Sequence, residues 1–243
     1  MMASVVQDNL LEEGLAKLRI DGADFDRAAK LLTRYIEEIE LFNKAYGLVK
    51  VKDRRELIVK HILDSLAPLS ILRGLPTAQQ TPMARQVADV GSGAGLPGIP
   101  LAICMPDAEF TLIERMGRRA GFLQNVLAIL GLSNVRVEEK EMEKINPAGS
   151  FDLVVFRAFR PLEPAIFKGL SRLLSPGGVL AAYKGRRENL EEEMAGLLET
   201  ANKGAAFFSI GGQEFLPWEA IPLEVPFLEE ERHLVLIKTK SML

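Results

Sequence analysis

Four glycines lie in one short stretch of the chain, at Gly91, Gly93, Gly95 and Gly98, and Asp89 stands two positions before the first of them. Glycine permits positive φ angles and lets the backbone approach a ligand closely. A helix that begins after such a turn presents free N–H groups and the positive end of its dipole. The stretch is therefore typical of a cofactor-binding turn between a strand and a helix. A tight turn that binds no ligand is the alternative.

The spacing of these glycines separates two classes of cofactor. The dinucleotide fingerprint has its third glycine three residues after the second, where this chain has Leu96. The third glycine comes one residue earlier, and Asp89 precedes the first. The order acid-x-Gly-x-Gly-x-Gly instead resembles the first motif of class I S-adenosylmethionine (SAM) methyltransferases. A nicotinamide-dependent oxidoreductase is therefore disfavoured.

Two carboxylates follow the next predicted strands. Glu114 ends the strand predicted over residues 109–114, where its two oxygens could accept hydrogen bonds from a ribose diol. Glu143 follows the strand predicted over 135–138, near the place where an adenine edge would lie. Each of them could instead be a solvated charge.

Arg157 ends the fourth predicted strand. Methyltransferases that act on amines often have an acid or an asparagine, two prolines and an aromatic residue here, and ribose 2′-hydroxyl methylation typically needs an acid. Both patterns are absent. Cys104, the only cysteine, lies in an apolar helix and is expected to be a small buried side chain, not the nucleophile of pyrimidine C5 methylation. These observations favour an acceptor that is already nucleophilic, such as a ring nitrogen with a free lone pair.

The two histidines, His61 and His233, have no neighbours at the spacing of metal ligands, so we expect no metal site. Asp64 lies three residues after His61 on the same face of a predicted helix and could orient the imidazole. A buried histidine with satisfied hydrogen bonds is the alternative.

Basic residues cluster after two predicted strands, on the same rim as the glycine turn. Such a patch could contact RNA phosphates, although each cluster alone could be a solvated face. The candidates are Arg118, Arg119, Lys184, Arg186 and Arg187.

The composition is that of an ordinary globular protein. The chain has 243 residues, of which 48% are hydrophobic and 26% are charged, and its formal net charge is −3. This charge argues against a general nucleic-acid coat. No apolar run is long enough to cross a membrane, and no secretory signal is visible. With one cysteine and no disulfide, a reducing cytoplasm is the expected location, and a monomer is the expected state.

Helical spacing dominates from about residue 5 to 72, and a linker is expected over 74–82. We therefore predict an N-terminal helical extension (1–76) and a methyltransferase domain (77–243). After the linker, strands alternate with helices, which indicates a mostly parallel α/β sheet with an antiparallel last strand. The predicted strands are 86–90, 109–114, 135–138, 151–156, 179–183, 206–210 and 232–238, and the predicted helices are 99–104, 117–130, 161–174 and 188–203.

Four stretches together resemble one family. They are His61–Leu66, Asp89–Leu101, Arg157–Ala158 and Lys184–Gly185, and they look like the RsmG family, also called GidB. The run Leu-Pro-Gly-Ile-Pro after the glycines is more specific than the SAM motif alone. The resemblance implies a Rossmann-like SAM-dependent methyltransferase. Its expected acceptor is N7 of a guanine in the helix 18 loop of bacterial 16S rRNA, presented as free rRNA or as the small ribosomal subunit.

The resemblance also implies roles for particular residues. Gly91 and Leu96 would contact SAM, Met142 and Glu143 would flank the adenosine, and Arg157 matches an arginine of the cofactor site. No general base is expected. The full predicted cofactor set is Asp89, Gly91, Gly93, Gly95, Leu96, Glu114, Met142, Glu143 and Arg157.

Two other functions stay open from the sequence. One is a SAM-dependent methyltransferase of a small molecule, which would have the same core. The other is a non-catalytic nucleotide- or RNA-binding module with the same fold.

Overall fold

The computed structural model describes residues 2–20, 23–75, 84–146, 148–157, 161–199, 202–203, 208–210 and 213–240 of the chain. The first part is helical. It contains α1 (Met2–Lys17), α2 (Ala23–Tyr46), α3 (Arg54–Leu57), a π-helical segment (Ile58–Leu63), α4 (Asp64–Leu66) and α5 (Leu69–Gly74). Asp53 caps α3, because its side chain accepts the Glu56 N–H.

Two sheets follow. Their strands are β1 (Gln86–Val90), β2 (Glu109–Ile113), β3 (Val135–Glu138), β4 (Phe151–Arg157), β5 (Leu174–Lys184), β6 (Asn202–Lys203), β7 (Phe208–Ile210), β8 (Gln213–Phe215), β9 (Glu219–Leu223) and β10 (Arg232–Lys238). The large sheet has the order β3-β2-β1-β4-β5-β10-β9, and β6, β7 and β8 form a small separate sheet. β1 to β5 run parallel, whereas β10 is antiparallel to β5 and to β9.

A helical segment follows each of the parallel strands. These segments are α6 (Gly98–Cys104) after β1, α7 (Gly117–Leu130) after β2, a 3-10 turn (Met142–Lys144) after β3, α8 (Pro164–Ser171) after β4 and α9 (Arg187–Glu199) after β5. Because the strands are parallel, their carboxyl ends meet at one edge of the sheet, where ligands bind in folds of this type. This carboxyl edge carries the glycine turn.

Both faces of the large sheet are buried. β4 is buried along its length except at Arg157, as expected for a central parallel strand. On one face the helical extension packs with α6 and α7 in a cluster that includes Leu32 and Leu123. On the other face α8 and the small sheet meet at Phe167 and Phe215, whose ring centroids are 4.8 Å apart. The extension therefore shares its core with the sheet.

The predicted fold class is confirmed, with a mostly parallel sheet, an antiparallel C-terminal strand and a helical extension before them. The prediction of a single antiparallel strand was incomplete. β9 also pairs antiparallel with β10 and is the outermost strand on that side of the sheet. Its alternation of apolar and polar residues is interrupted by Pro222, a residue that outer strands tolerate.

Two predicted helices were too long. The helix predicted over 161–174 begins at Pro164, since proline suits the first helical position, and β5 already starts at Leu174. The helix predicted over 188–203 ends at Glu199, and Asn202–Lys203 pairs with β7. Of the strand predicted over 206–210, the last three residues form β7 and the first two lie outside the described residues.

The predicted linker and the boundary at 76/77 also lie largely outside the described residues, so the division into two parts stays a prediction. Side chains join the two parts nearby. The Arg85 guanidinium donates to the carbonyl oxygens of Leu72 and Leu75, and that of Arg73 donates to the Cys104 carbonyl. In the part of the chain that the structure describes, no helix has both the length and the apolar character needed to span a bilayer.

Replacing Leu32 by alanine tests the shared core. Leu32 is fully buried, so we expect the free energy of unfolding to fall by about 2–5 kcal/mol. Urea unfolding followed by circular dichroism and by the fluorescence of Trp218, the only tryptophan, should give one coincident transition that is shifted equally in both signals. Leu41→Ala on the same helix is the control, because Leu41 is 70% exposed. An unshifted Trp218 transition in Leu32→Ala would contradict a shared core.

Candidate functional site

The glycine turn after β1 has a backbone that favours glycine. Gly91, Gly93 and Gly95 have φ angles of 71°, 59° and 94°, a region that side chains with a Cβ rarely adopt. The N–H groups of Gly91 and Ser92 both donate to the Ile113 carbonyl, at 2.9 and 3.2 Å. The turn is therefore fixed to the end of β2.

Asp89 anchors the second half of the turn from inside the protein. Its carboxyl group is fully buried, and Oδ2 accepts the Gly98 N–H at 2.9 Å, while Oδ1 has no partner among the described residues. A Cβ on Gly98 would lie 2.6 Å from this Oδ2, so only glycine fits there. Burial raises the pKa of Asp89 to about 7, because the charged form loses its hydration.

Glu114 joins the turn to the residues after β2. It is 4% exposed, and its Oε2 accepts the Gly93 N–H while its Oε1 accepts the Met116 N–H, each at 2.9 Å. These bonds fix the orientation of the carboxylate at the carboxyl edge. Each oxygen keeps a second lone pair for an outside donor such as a hydroxyl group.

A cavity of about 370 Å³, here called the smaller cavity, opens beside this carboxylate. Its lining includes Gly91, Glu114, Arg119, Met142 and Glu143. The wall therefore offers a fixed carboxylate acceptor, glycine backbone and the apolar side chain of Met142. The volume is within the usual range for small ligands.

The structure thus brings together four members of the predicted cofactor set, Gly91, Glu114, Met142 and Glu143. Gly93 and Gly95 shape the turn beside them, and Leu96 is buried behind it at 5% exposure. Asp89 holds the turn from within and is not part of the cavity wall.

Arg157, at the end of β4, is held by the helical extension. Its Nη1 donates to Asp64 Oδ2 at 2.7 Å and to the Lys60 carbonyl at 3.1 Å, and its Nη2 donates to His61 Nδ1 at 3.1 Å. A guanidinium only donates, so Nδ1 of His61 accepts and its neutral ring is protonated at Nε2. Burial, followed by the charge of Arg157, lowers the pKa of His61 to about 4. The expectation that Asp64 orients His61 was wrong, since both of them contact Arg157.

Asp64 also binds a second arginine. The residue is 4% exposed, and its Oδ1 accepts from Nε of Arg232 at 3.1 Å, at the start of β10. One buried carboxylate therefore connects α4, β4 and β10. The π-helical segment that contains His61 ends directly before it, and such segments are frequent at functional sites.

A second cavity of about 650 Å³, here called the larger cavity, lies over the carboxyl ends of β4 and β5. Arg157 lines this cavity and not the smaller one, so its place in the cofactor set stays a prediction. The charged side chains of its lining are Lys60, Asp64, Arg157, Lys184, Glu193 and Arg232. The smaller cavity is lined at the end of β1 and the larger one at the end of β4, and these strands are neighbours in the sheet. The two cavities therefore lie at the strand ends on either side of the point where the strand order reverses, the usual ligand position in such sheets.

The residues predicted to contact RNA differ in their exposure and in whether their side chains form ion pairs. Arg118 is exposed, with its guanidinium carbon 5.9 Å from the centroid of the Tyr46 ring, and Arg119 lines the smaller cavity. Arg186 and Arg187 are exposed after β5, and Arg187 pairs with Glu191 at 2.8 Å.

Lys184 is different, because its Nζ lies 2.6 and 2.8 Å from the two oxygens of Glu193 and its side chain is 15% exposed. Lys184 thus faces the larger cavity as half of an ion pair, and an RNA phosphate would have to share it with Glu193.

Comparison with known proteins identifies the family. The family model described as GidB, rRNA small subunit methyltransferase G, matches residues 28–208. The chain belongs to this family.

Two GidB-family relatives are named Ribosomal RNA small subunit methyltransferase G. The protein from Treponema pallidum (strain Nichols) is 39% identical in an alignment 245 positions long, which covers 98% of this chain and 97% of the relative. The protein from Cellvibrio japonicus is 37% identical over 238 residues, with the same coverage of 98% and 97%. The family predicted from the motifs is confirmed.

Solved structures agree on the fold. A Methanococcus maripaludis protein described as a candidate SAM-dependent methyltransferase matches with a TM-score of 0.55 and 17% identity, over 86% of this chain and 93% of that protein. A SAM-dependent methyltransferase from Aquifex aeolicus matches with a TM-score of 0.50 and 18% identity, over 83% and 97%. At these identities the comparison shows the fold alone.

Several residues that shape this GidB-family site were not predicted. The buried Tyr35 hydroxyl of α2 donates to the Ala94 carbonyl of the glycine turn at 2.6 Å, and Tyr183 of β5 donates to the Ser65 carbonyl at 2.9 Å. Arg232 was also missed. Tyr35 sits at a core position of an amphipathic helix, so the only available signal was a hydroxyl group at a position that is otherwise apolar.

His61→Gln tests the neutral histidine beside Arg157. The pKa of His61 in the folded protein, about 4, lies below its unfolded value of 6.5, so the unfolded chain binds more protons between these pH values. Stability should therefore fall as the pH drops from about 6.5 to 4, by up to roughly 3 kcal/mol. Glutamine can still accept from Arg157 and cannot titrate, so the variant should lose this slope in urea unfolding across the pH series.

His233→Gln, at the other histidine, is the control. It shows whether the loss of any histidine changes the slope of stability against pH, or only the loss of His61. An unchanged slope in His61→Gln would contradict the assignment.

Proposed function

We propose that this protein transfers a methyl group from SAM to N7 of a guanine in the 16S rRNA of the small ribosomal subunit. The observation that carries the proposal is the pair of cavities at the ends of the neighbouring strands β1 and β4. One is bounded by the glycine turn and Glu114, and the other by Arg157 and further basic side chains. Membership of the rRNA small subunit methyltransferase G family supports the reaction class.

The smaller cavity suits SAM. Glu114 would accept the ribose hydroxyls, because its carboxylate is already oriented by Gly93 and Met116. Met142 and Glu143 would flank the adenine. The backbone of the turn, from Gly91 to Leu96 with Asp89 behind it, would hold the amino-acid part, where glycine permits a close approach. When bound, SAM supplies a methyl group on a positively charged sulfur.

The larger cavity suits the acceptor base. Guanine N7 has an in-plane lone pair and no proton to lose, so the reaction needs no general base. This agrees with His61, whose Nδ1 is already occupied by Arg157. The protein would contribute orientation and exclusion of water, and the base would have to leave its stack to enter.

Arg157 is the residue we assign to orienting that base. Three of its five N–H donors are used by Asp64, Lys60 and His61. The other two have no partner among the described residues, and we assign them to the O6 edge of guanine, which arginine commonly recognises. Arg118, Arg119, Arg186 and Arg187 would contact phosphates around the opening.

Methyl-transfer assays with radiolabelled SAM test the proposal on small ribosomal subunits, on protein-free 16S rRNA and on a metabolite extract. We expect label in one of the two RNA substrates, at a 7-methylguanine that mass spectrometry of nuclease digests locates. Transfer to a metabolite alone would indicate a small-molecule methyltransferase. Absence of SAM binding in calorimetry would indicate a non-catalytic module.

Glu114→Gln should weaken SAM binding. The change keeps the size of the side chain but removes the charge and one of the acceptor oxygens, so we expect a dissociation constant at least about tenfold higher in calorimetry, as for a lost charge-assisted hydrogen bond. Glu109→Gln is the matched control. Glu109 is the first residue of β2, and Glu114 follows the last, so the two carboxylates lie at opposite ends of this strand. Equal affinities of Glu114→Gln and the wild type would contradict the assigned role.

Arg118→Ala combined with Arg186→Ala should raise KM for RNA without changing SAM affinity. Each lost phosphate contact should lower the slope of log affinity against log salt concentration by about 1. Arg136→Ala is the control, since Arg136 is exposed on β3 and lines neither cavity. If the double variant keeps the KM and salt slope of the wild type, these arginines do not contact RNA.

A further inference from the structure

One arginine that lies outside the smaller cavity binds the 3-10 turn Met142–Lys144. The turn contributes Met142 and Glu143 to the wall of the smaller cavity. With three residues it makes few bonds of its own, from Lys144 N–H to the Glu141 carbonyl and from Ile145 N–H to the Met142 carbonyl. Its position must therefore be fixed from elsewhere.

Arg172 supplies this support. It follows α8 directly, and its Nη2 donates to the carbonyl oxygens of Met142 and Glu143, each at 2.9 Å. Both Nη1 and Nη2 also lie 3.2 Å from the Ile145 carbonyl. Within the described residues, its guanidinium binds only these carbonyls and no carboxylate. Its positive charge therefore stabilises the carbonyl groups of the turn.

The same end of α8 also makes room for the turn. A Cβ on Gly169 would lie 2.6 Å from Cε and 3.4 Å from Sδ of Met142. Because Gly169 has no side chain, Met142 can pack against α8 at 4% exposure. Arg172, three residues after Gly169, binds the backbone of the same turn.

We propose that Arg172 is a positioning residue for cofactor binding, which acts on the adenosine end of SAM through the Met142–Lys144 turn. This inference rests on the proposed function. Arg172 itself lines neither the smaller nor the larger cavity. Its loss should therefore change the affinity for adenosine-containing ligands and leave the RNA interaction intact.

Calorimetry with SAM and with S-adenosylhomocysteine tests the role in Arg172→Met, which keeps the aliphatic stem and removes all the donors. We expect both dissociation constants to rise by about tenfold, the loss of one to two net hydrogen bonds. Arg172→Lys keeps one donor group and should recover part of the affinity. KM for RNA should stay within about twofold of the wild type.

Arg85→Met is the matched control. Arg85 also binds carbonyl oxygens, those of Leu72 and Leu75. It directly precedes β1, so it lies at the amino ends of the parallel strands and not at the carboxyl edge. Binding is measured well below the melting temperature of each variant. A tenfold loss in Arg172→Met with no loss in Arg85→Met supports the proposal.

Wild-type affinity in Arg172→Met, or equal losses in both variants, would overturn the positioning role. If Arg172→Met does not fold, Arg172→Lys decides, since full wild-type affinity with a single donor group would also overturn it. Failure of the wild type to bind SAM is a separate result, which would remove the proposed function and this inference together.

Discussion

The buried carboxylate of Asp64 is the interaction on which the arrangement of the site depends. It lies on α4 and binds Arg157 at the end of β4 and Arg232 at the start of β10. Hydrophobic packing between the extension and the sheet is non-directional, whereas an ion pair with defined donors fixes orientation. A buried charge without a partner costs several kcal/mol, so any displacement of the extension that separates these groups is opposed strongly. The helical extension is therefore part of the site.

The same principle holds at the smaller cavity. A ligand-binding turn cannot satisfy its backbone groups through regular secondary structure, yet buried N–H and C=O groups need partners. Here the partners are side chains from distant elements. Glu114 accepts from Gly93, Tyr35 donates to Ala94, and Arg172 donates to the turn after β3. These bonds oppose displacement of each turn without any ligand, so less ordering would be needed on binding.

Local patterns were sufficient to predict much of this molecule. The predicted strands 86–90 and 135–138 and the helix 117–130 have the bounds that the structure shows, because their apolar spacing and flanking turns are local signals. The glycine turn and Glu114 were predicted for the same reason, since a strand followed by a tight turn determines where both lie. The family also followed from contiguous motifs.

Contacts between distant residues could not be predicted in this way. Asp64 and Arg157 are 93 positions apart, and nothing around either indicates the other. The sequence showed the charge of Lys184 but not that Glu193, on the following helix, neutralises it. Arg172 carries no motif at all, because its partners are backbone carbonyls, which every residue has. The architecture was therefore accessible from the sequence, and the supports of the site were not.

The charges of the larger cavity bear on the choice of acceptor. Under the proposed function, methyl transfer moves a positive charge from the smaller cavity to the larger one. The larger cavity has four cationic side chains, and each of them is paired with a carboxylate. Asp64 binds Arg157 and Arg232, Glu193 binds Lys184, and Lys60 pairs with Glu56 and Glu230, which are not part of the lining. The positive charge that reaches the base therefore enters a lining in which carboxylates already balance the cations. A nucleotide within RNA brings phosphates that can share these cations, whereas a small neutral acceptor has no group that would bind them, so the lining suits an acceptor within RNA.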